Sequence, residues 1–247
     1  MQQKIIQKLL RSRDNVPEAL WLLLMKGAWR TYWLIEQIKQ SLRLGRKTAP
    51  LFGSERALFA EKFCSYFPIG NVLEIGAAYG QSFHLLAKLL PQTQFLGIDI
   101  NPETVQAANV VIKENKITNA KIIQGDATDI QGLPDRSFDI VYSSAALLYV
   151  DDNEISQVIK EMIRISRKSI ILLELHLENP EYPNQHLGIK LAKYSFLGTY
   201  WVRDYKKLIL QHAPRATISL TKIPRSMWIN EAWAELGYII EVNMVID

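Results

Sequence analysis

VLEIGAAYGQSF, residues 72–83, starts as an apolar run, turns at Gly76 and passes into residues that open a helix. A buried strand, a glycine turn and a helix form the repeating unit of a parallel α/β sheet, so this stretch decides the fold. Working outward from it, strand-like runs recur at 94–98, 120–123, 138–142 and 170–175. Helix-like runs lie between them at 81–90, 102–115 and 154–166, the second with Asn101 as cap and Pro102 in the first helical position. Short connections in such an alternation predict a doubly wound parallel sheet, covered on both faces by right-handed crossovers.

The C-terminal third breaks the alternation. RDYKKLILQHAP reads as a helix, ATISLTKI as a strand, and GYIIEVNM as a closing strand behind the Trp-rich MWINEAWAELG. Two strands in succession predict an antiparallel pair at the end of the sheet. No internal repeat or low-complexity segment interrupts the chain.

With 247 residues, 48% hydrophobic and 22% charged, the composition is that of a folded globular body. The net charge of +4 is uneven: residues 1–48 hold ten Lys and Arg against three Asp and Glu, so the basic character belongs to the N-terminal segment. From 18 to 44 that segment has leucines and tryptophans at helical spacing, which predicts one or two amphipathic helices. Its longest apolar run, 19–25, has seven residues where a membrane span needs about 20, and no small-x-small cleavage site follows it. A cytoplasmic protein is expected. Cys64 is the single cysteine, which excludes an internal disulfide and any two-thiol chemistry. No residue cluster has the spacing of a metal site.

In an open parallel sheet the ligand sits at the carboxyl ends of the strands. Glu74 stands in the last turn of the first strand, Asp99 ends the second in FLGIDIN, and Asp126 follows the third in IIQGDAT. With Gly76, Gly80 and FDIVYSSAALLYV, these residues resemble class I S-adenosylmethionine-dependent methyltransferases, in particular the branch acting on small molecules. The likeness spans about 70–176. It implies a seven-stranded, mostly parallel, Rossmann-like sheet whose last strand is antiparallel, with the N-terminal helices as a lid. It further implies that Asp99 binds the ribose hydroxyls of S-adenosyl-L-methionine, Asp126 and Ala127 meet the adenine, and Gly76–Gly80 meets the methionine part. Glu74, Ile100 and Ser143 complete the implied cofactor set.

The family pattern at the first loop is acidic-x-Gly-x-Gly-x-Gly, and Ala78 replaces the middle glycine. S-adenosylmethionine brings no phosphate to the loop, so a tight anion cradle is not required. Alanine fits if φ at residue 78 is negative, and the loop is expected to bind with Ala78 in place.

Methyl transfer from a sulfonium needs alignment above all, and a base only where the acceptor must lose a proton. The histidine frequent after the fourth strand is replaced by Leu147-Leu148-Tyr149, which leaves Tyr149 to orient substrate or to pack. The fifth strand ends LLELHLENP, so Glu174 and His176 share a face, and His176 is the preferred base. No Asp/Asn-Pro-Pro-aromatic stretch follows the fourth strand, and Cys64 precedes the first, so a nucleic-acid substrate is not expected.

The chain is expected to divide into an N-terminal helical segment, 1–52, and a cofactor domain, 53–247, with a substrate-cap insertion about 177–203. The basic helices of 18–44 leave two readings open, a lid packed on the core and a peripheral membrane contact. Oligomeric state is not encoded legibly. Two other functions compete. In a nicotinamide-dependent oxidoreductase Asp99, 23 residues after Gly76, would hold a ribose, but Gly-x-Gly-x-x-Gly is absent. In a non-catalytic S-adenosylmethionine-binding scaffold, the missing histidine and altered glycine would carry no penalty.

Overall fold

A computed structural model describes residues 68–80, 90–177, 188–190, 200–225 and 231–244, with isolated positions between 59 and 88. The expected N-terminal helices and lid, Cys64, His84, His186 and most of the cap lie outside the described residues.

Seven strands form one sheet in the order β3-β2-β1-β4-β5-β9-β8. They are β1 (Asn71–Ile75), β2 (Gln94–Asp99), β3 (Ala120–Gln124), β4 (Phe138–Ser144), β5 (Ser166–Leu175), β8 (Thr217–Lys222) and β9 (Gly237–Asn243). The first five run parallel, and β9 lies antiparallel between β5 and β8. The reversed strand is thus inside the sheet, one place from its edge. Two further short strands, β6 (Gly188–Lys190) and β7 (Trp201–Arg203), make a separate antiparallel pair in the region expected to hold the cap.

The helices are α1 (Pro102–Glu114), α2 (Ile155–Ile165), α3 (Tyr205–His212) and α4 (Glu231–Leu236), with one 3-10 turn at Leu147–Tyr149. Asn101 caps α1 through the Glu103 N–H, and Pro102 opens it, as the sequence signals require. Asp204 caps α3 through the Lys207 N–H. α2 passes into β5 without a loop: Ser166 is at once its C-cap and the first strand residue.

Strand residues alternate between two apolar layers. One face carries Val72, Ile140, Tyr142 and Leu173 against Leu86, Ala108 and Ile112, with Phe59 tilted and Phe63 edge-on against Tyr142. The other carries Leu73, Val141 and Leu172 against Ile155, Ile159, Met162 and Leu208. Both faces are covered, so β1 and β4 are buried almost throughout.

Candidate cofactor and acceptor site

The parallel register brings three strand ends level. Ile75 pairs with Ile98 of β2 and with Ser143 of β4, so the loops after β1, β2 and β4 meet at one edge. The chain leaving β1 folds onto β2: Gly76 N–H and Ala77 N–H both donate to Ile98 O at 2.9 Å, and Gly80 N–H returns to Ala77 O at 2.8 Å. Gly76 has φ +74, and a Cβ there would lie 2.2 Å from Ala146 Cβ in the loop after β4. The positive φ favours glycine, and the close approach requires it.

Ala78 departs from expectation. Its φ is 45, inside the left-handed region, so the premise that alanine fits because φ is negative is corrected. The reason is visible on the neighbouring strand: Asp99 Oδ2 accepts the Ala78 N–H at 2.7 Å and holds the backbone in that turn. Ala145, in the loop after β4, also has a positive φ, 57, with its N–H on Leu173 O. The two alanines lie on the two loops that touch through Gly76 and Ala146.

Asp99 is the hub of the edge. Besides the Ala78 N–H, its Oδ1 takes the Asn101 N–H at 2.9 Å and the Thr104 hydroxyl at 3.1 Å. A carboxylate has about four lone-pair directions, so a diol would share Asp99 with the loop rather than find it idle. Ile100, next to it, leaves 55% of its surface exposed, an apolar plate at the strand end. Asp126 takes the N–H and hydroxyl of Thr128, both on Oδ1, which leaves Oδ2, and Ala127 beside it is half-buried.

Two of the expected cofactor contacts are turned inward. Glu74 is 2% exposed and accepts the Tyr142 hydroxyl at 2.8 Å beneath the loop. Burial, reinforced by that carboxylate, pushes the Tyr142 phenol well above its ordinary range. Ser143 is wholly buried and donates to Glu174 Oε1.

Glu174 and His176 do share a face, but α3 covers it. Glu174 has no exposure and His176 only 1%. His176 Nδ1 accepts the Tyr205 N–H at 3.3 Å, and its ring stands edge-on to Tyr238. This differs from the open carboxyl edge expected for a base. His212 in turn bonds Ser156.

Sequence reasoning missed Arg203. It is fully buried in β7, and its guanidinium donates to Leu147 O at 3.0 Å and Val150 O at 2.6 Å, with Asp152 within ion-pair reach of Nε. Glu174 accepts the Ala146 and Leu147 N–H groups at the opposite end of the same 3-10 turn. An anion at the amino end and a cation at the carboxyl end both suit the turn's backbone dipole. The turn carries Tyr149, which packs edge-on to Tyr200, 5.4 Å between ring centres. Around them Ala145, Leu177, Trp233 and Leu236 pack as half-buried apolar groups on Leu148, Leu175 and Val202.

The donor set discriminates between ligands. The amides of Gly76, Ala77, Ala78 and Gly80 are all spent within the chain, so the loop has no row of N–H groups for a pyrophosphate. That fits S-adenosylmethionine, whose methionine and nucleoside parts need acids and an apolar face, and does not fit a nicotinamide dinucleotide. Among the described residues no group of His, Cys, Asp and Glu is placed to hold a metal ion, and no helix is long and apolar enough to cross a membrane.

Strand order, reversed penultimate strand and loop chemistry together define a class I methyltransferase fold. Residues 72–169 match a family described as "Methyltransferase domain", which supports reading this part of the chain as a class I S-adenosylmethionine-dependent methyltransferase domain. By sequence it is similar to a tRNA (guanine-N(7)-)-methyltransferase of Lactobacillus johnsonii, 31% identical over 57% of this chain and 65% of that one. It is also similar to a trans-aconitate 2-methyltransferase of Enterobacter sp. strain 638, 27% identical over 57% of this chain and 54% of the other. The chain therefore spans between about half and two thirds of the length of these relatives. In fold it resembles the magnesium protoporphyrin IX methyltransferase of Synechocystis, solved with bound S-adenosylmethionine, at a TM-score of 0.56 and 13% identity, covering 78% of this chain and 79% of that one.

Proposed function

We propose that this protein transfers a methyl group from S-adenosylmethionine to an oxygen or nitrogen atom of a small molecule. When bound, the cofactor supplies a methyl group made electrophilic by its sulfonium. In this reading Asp99 receives the ribose diol, sharing its carboxylate with the Ala78 N–H. Ile100 and Ala127 offer apolar contact to the adenine, Asp126 Oδ2 accepts from its amino group, and the Gly76–Gly80 loop lines the methionine part.

The observation that carries the acceptor class is the wall built on the turn after β4. Tyr149, Tyr200, Leu177, Trp233 and Leu236 form a half-buried apolar and aromatic surface at the carboxyl ends of β4 and β5. Among the described residues the cation there, Arg203, is fully buried and committed to backbone carbonyls. Such a surface suits a compact acceptor with an apolar body and has little to offer a phosphate backbone, which proteins meet with accessible Lys and Arg. Tyr149 faces the acceptor, while Glu174 and His176 support the wall from behind.

The sequence likeness to tRNA methyltransferases favours a second reading, in which the acceptor is RNA. Incubation with methyl-labelled S-adenosylmethionine and a cell extract, followed by separation into organic, aqueous small-molecule and RNA fractions, tests both. Label in a small-molecule fraction is the expected result. Label confined to RNA would replace the first reading with the second, and binding without labelled product would leave a cofactor-binding scaffold.

A further inference from the structure

Glu174 is a buried acid that contacts neither the cofactor nor the acceptor in the reading above, yet three donors from the end of β4 and the loop after it converge on it. Oε1 accepts the Ser143 hydroxyl at 2.8 Å and the N–H groups of Ala146 and Leu147 at 3.0 Å each. The donors bracket Ala145, whose left-handed φ of 57 has to be held by its surroundings. The same loop sets the clearance above the cofactor loop, since Ala146 Cβ stands where a side chain on Gly76 would begin. A shift of Ala146 toward or away from Gly76 therefore moves the roof of the Gly76–Gly80 turn.

We propose that Glu174 is a positioning residue for the cofactor site: its carboxylate, through Ser143, Ala146 and Leu147, holds the loop after β4 against Gly76 and so fixes the Gly76–Gly80 loop in its ligand-receiving form. The inference rests on the S-adenosylmethionine reading of that loop.

The surroundings make this hold dependent on charge. Burial, opposed by the hydrogen bonds from Leu147, Ser143 and Ala146, pushes the Glu174 carboxyl up to about 7. Ser143 on β4 donates to it, Tyr205 on α3 interacts with it electrostatically, and His176 follows two residues on, just past the end of β5. Tyr205 senses both Glu174 and Arg203, and its phenol is raised chiefly by burial. Glu174 Oε2 has no hydrogen-bond partner, so the hold on the loop runs through Oε1 alone. Hydrogen bonds to an ionised acceptor are roughly twice as strong as neutral ones, so the loop is held harder above pH 7 than below it.

Glu174→Gln keeps the size of the side chain and one acceptor oxygen but removes the charge. In the ligand-free variant, hydrogen exchange at the Ala146 and Leu147 amides should quicken about tenfold, and the Kd for S-adenosylmethionine alone, by calorimetry at pH 8, should rise about tenfold. The wild-type Kd should rise about three- to tenfold between pH 8 and pH 6, a slope the variant lacks. Ser143→Ala removes one donor and leaves the carboxylate; a rise in Kd of about threefold is expected, and it decides the matter should Glu174→Gln fail to fold. A wild-type protein that does not bind S-adenosylmethionine would sink the cofactor reading, and this inference with it. Wild-type binding with Kd, exchange and pH slope unchanged in the variants would overturn the positioning assignment alone, as would loss of thermal stability without change in Kd.

Discussion

Ala78 and Ala145 take backbone that glycine ordinarily supplies, each on a loop lining the site. An alanine in the left-handed region gives up about 1–2 kcal/mol, and glycine would recover that at the expense of a freer unfolded chain. Ala78→Gly is therefore expected to stabilise the protein by about 0.5 kcal/mol in chemical denaturation and to leave S-adenosylmethionine affinity within about tenfold. A loss of stability would mean that residue 78 does not hold a positive φ in solution. The missing glycine was legible in the sequence, but the sign of φ was not. It is set by the bond from the Ala78 N–H to Asp99, 21 residues away, and no local pattern encodes that bond. The same limit applies to Glu174 and His176. Period-two alternation placed them on one face, but whether that face opened to ligand depended on α3, which arrives about thirty residues later.

The 3-10 turn Leu147–Tyr149 shows how little of an element's support need lie nearby. Its amino end is held by Glu174 and its carboxyl end by Arg203, from two different strands. Arg203→Met should cost about 3 kcal/mol, because it leaves one buried and one half-buried carbonyl without a charged donor, and Arg203→Lys should restore only part of that, because an ammonium lacks the planar fork that reaches both. Denaturation midpoints measure this, and a cost below about 1 kcal/mol for the methionine variant would show the clamp to be incidental. Nothing in VRDY announces the role, since the partners lie 56 and 53 residues away in sequence. Helices were easier to read: α1 begins where Asn101 and Pro102 said it would. β5 begins earlier than its apolar run, at Ser166, because Arg167 and Lys168 look like loop residues in sequence. In the fold they reach Asp139 on β4.

Asp139 ties the sheet together across three strands. It accepts from the Gly70 N–H, just before β1, and from the Arg167 guanidinium at the start of β5, with Lys168 close by. Burial works to raise its carboxyl, but the Gly70 N–H and the Arg167 and Lys168 charges outweigh it and hold it below the usual range. A depressed carboxyl lends stability above its unfolded value near 3.8, and that stability is lost as pH falls through the lower, folded value. Asp139→Asn should thus cost about 2 kcal/mol at pH 7 and progressively less below pH 4, read from midpoints across pH; an equal cost at all pH values would contradict the ion-pair account. The doubly wound, mostly parallel sheet and its reversed last strand followed from the alternation of elements together with the family likeness. The β6–β7 pair did not, since three residues a strand are too few for a period to show. The position of β9 has a consequence for how the molecule is made. β5 is buried over most of its length and faces β9 along Ser169–Leu175, yet β9 is formed by Gly237–Asn243. During synthesis the apolar rim of β5 stays open until some sixty further residues have emerged, so a nascent chain stalled in that interval presents a ready template for pairing with its neighbours.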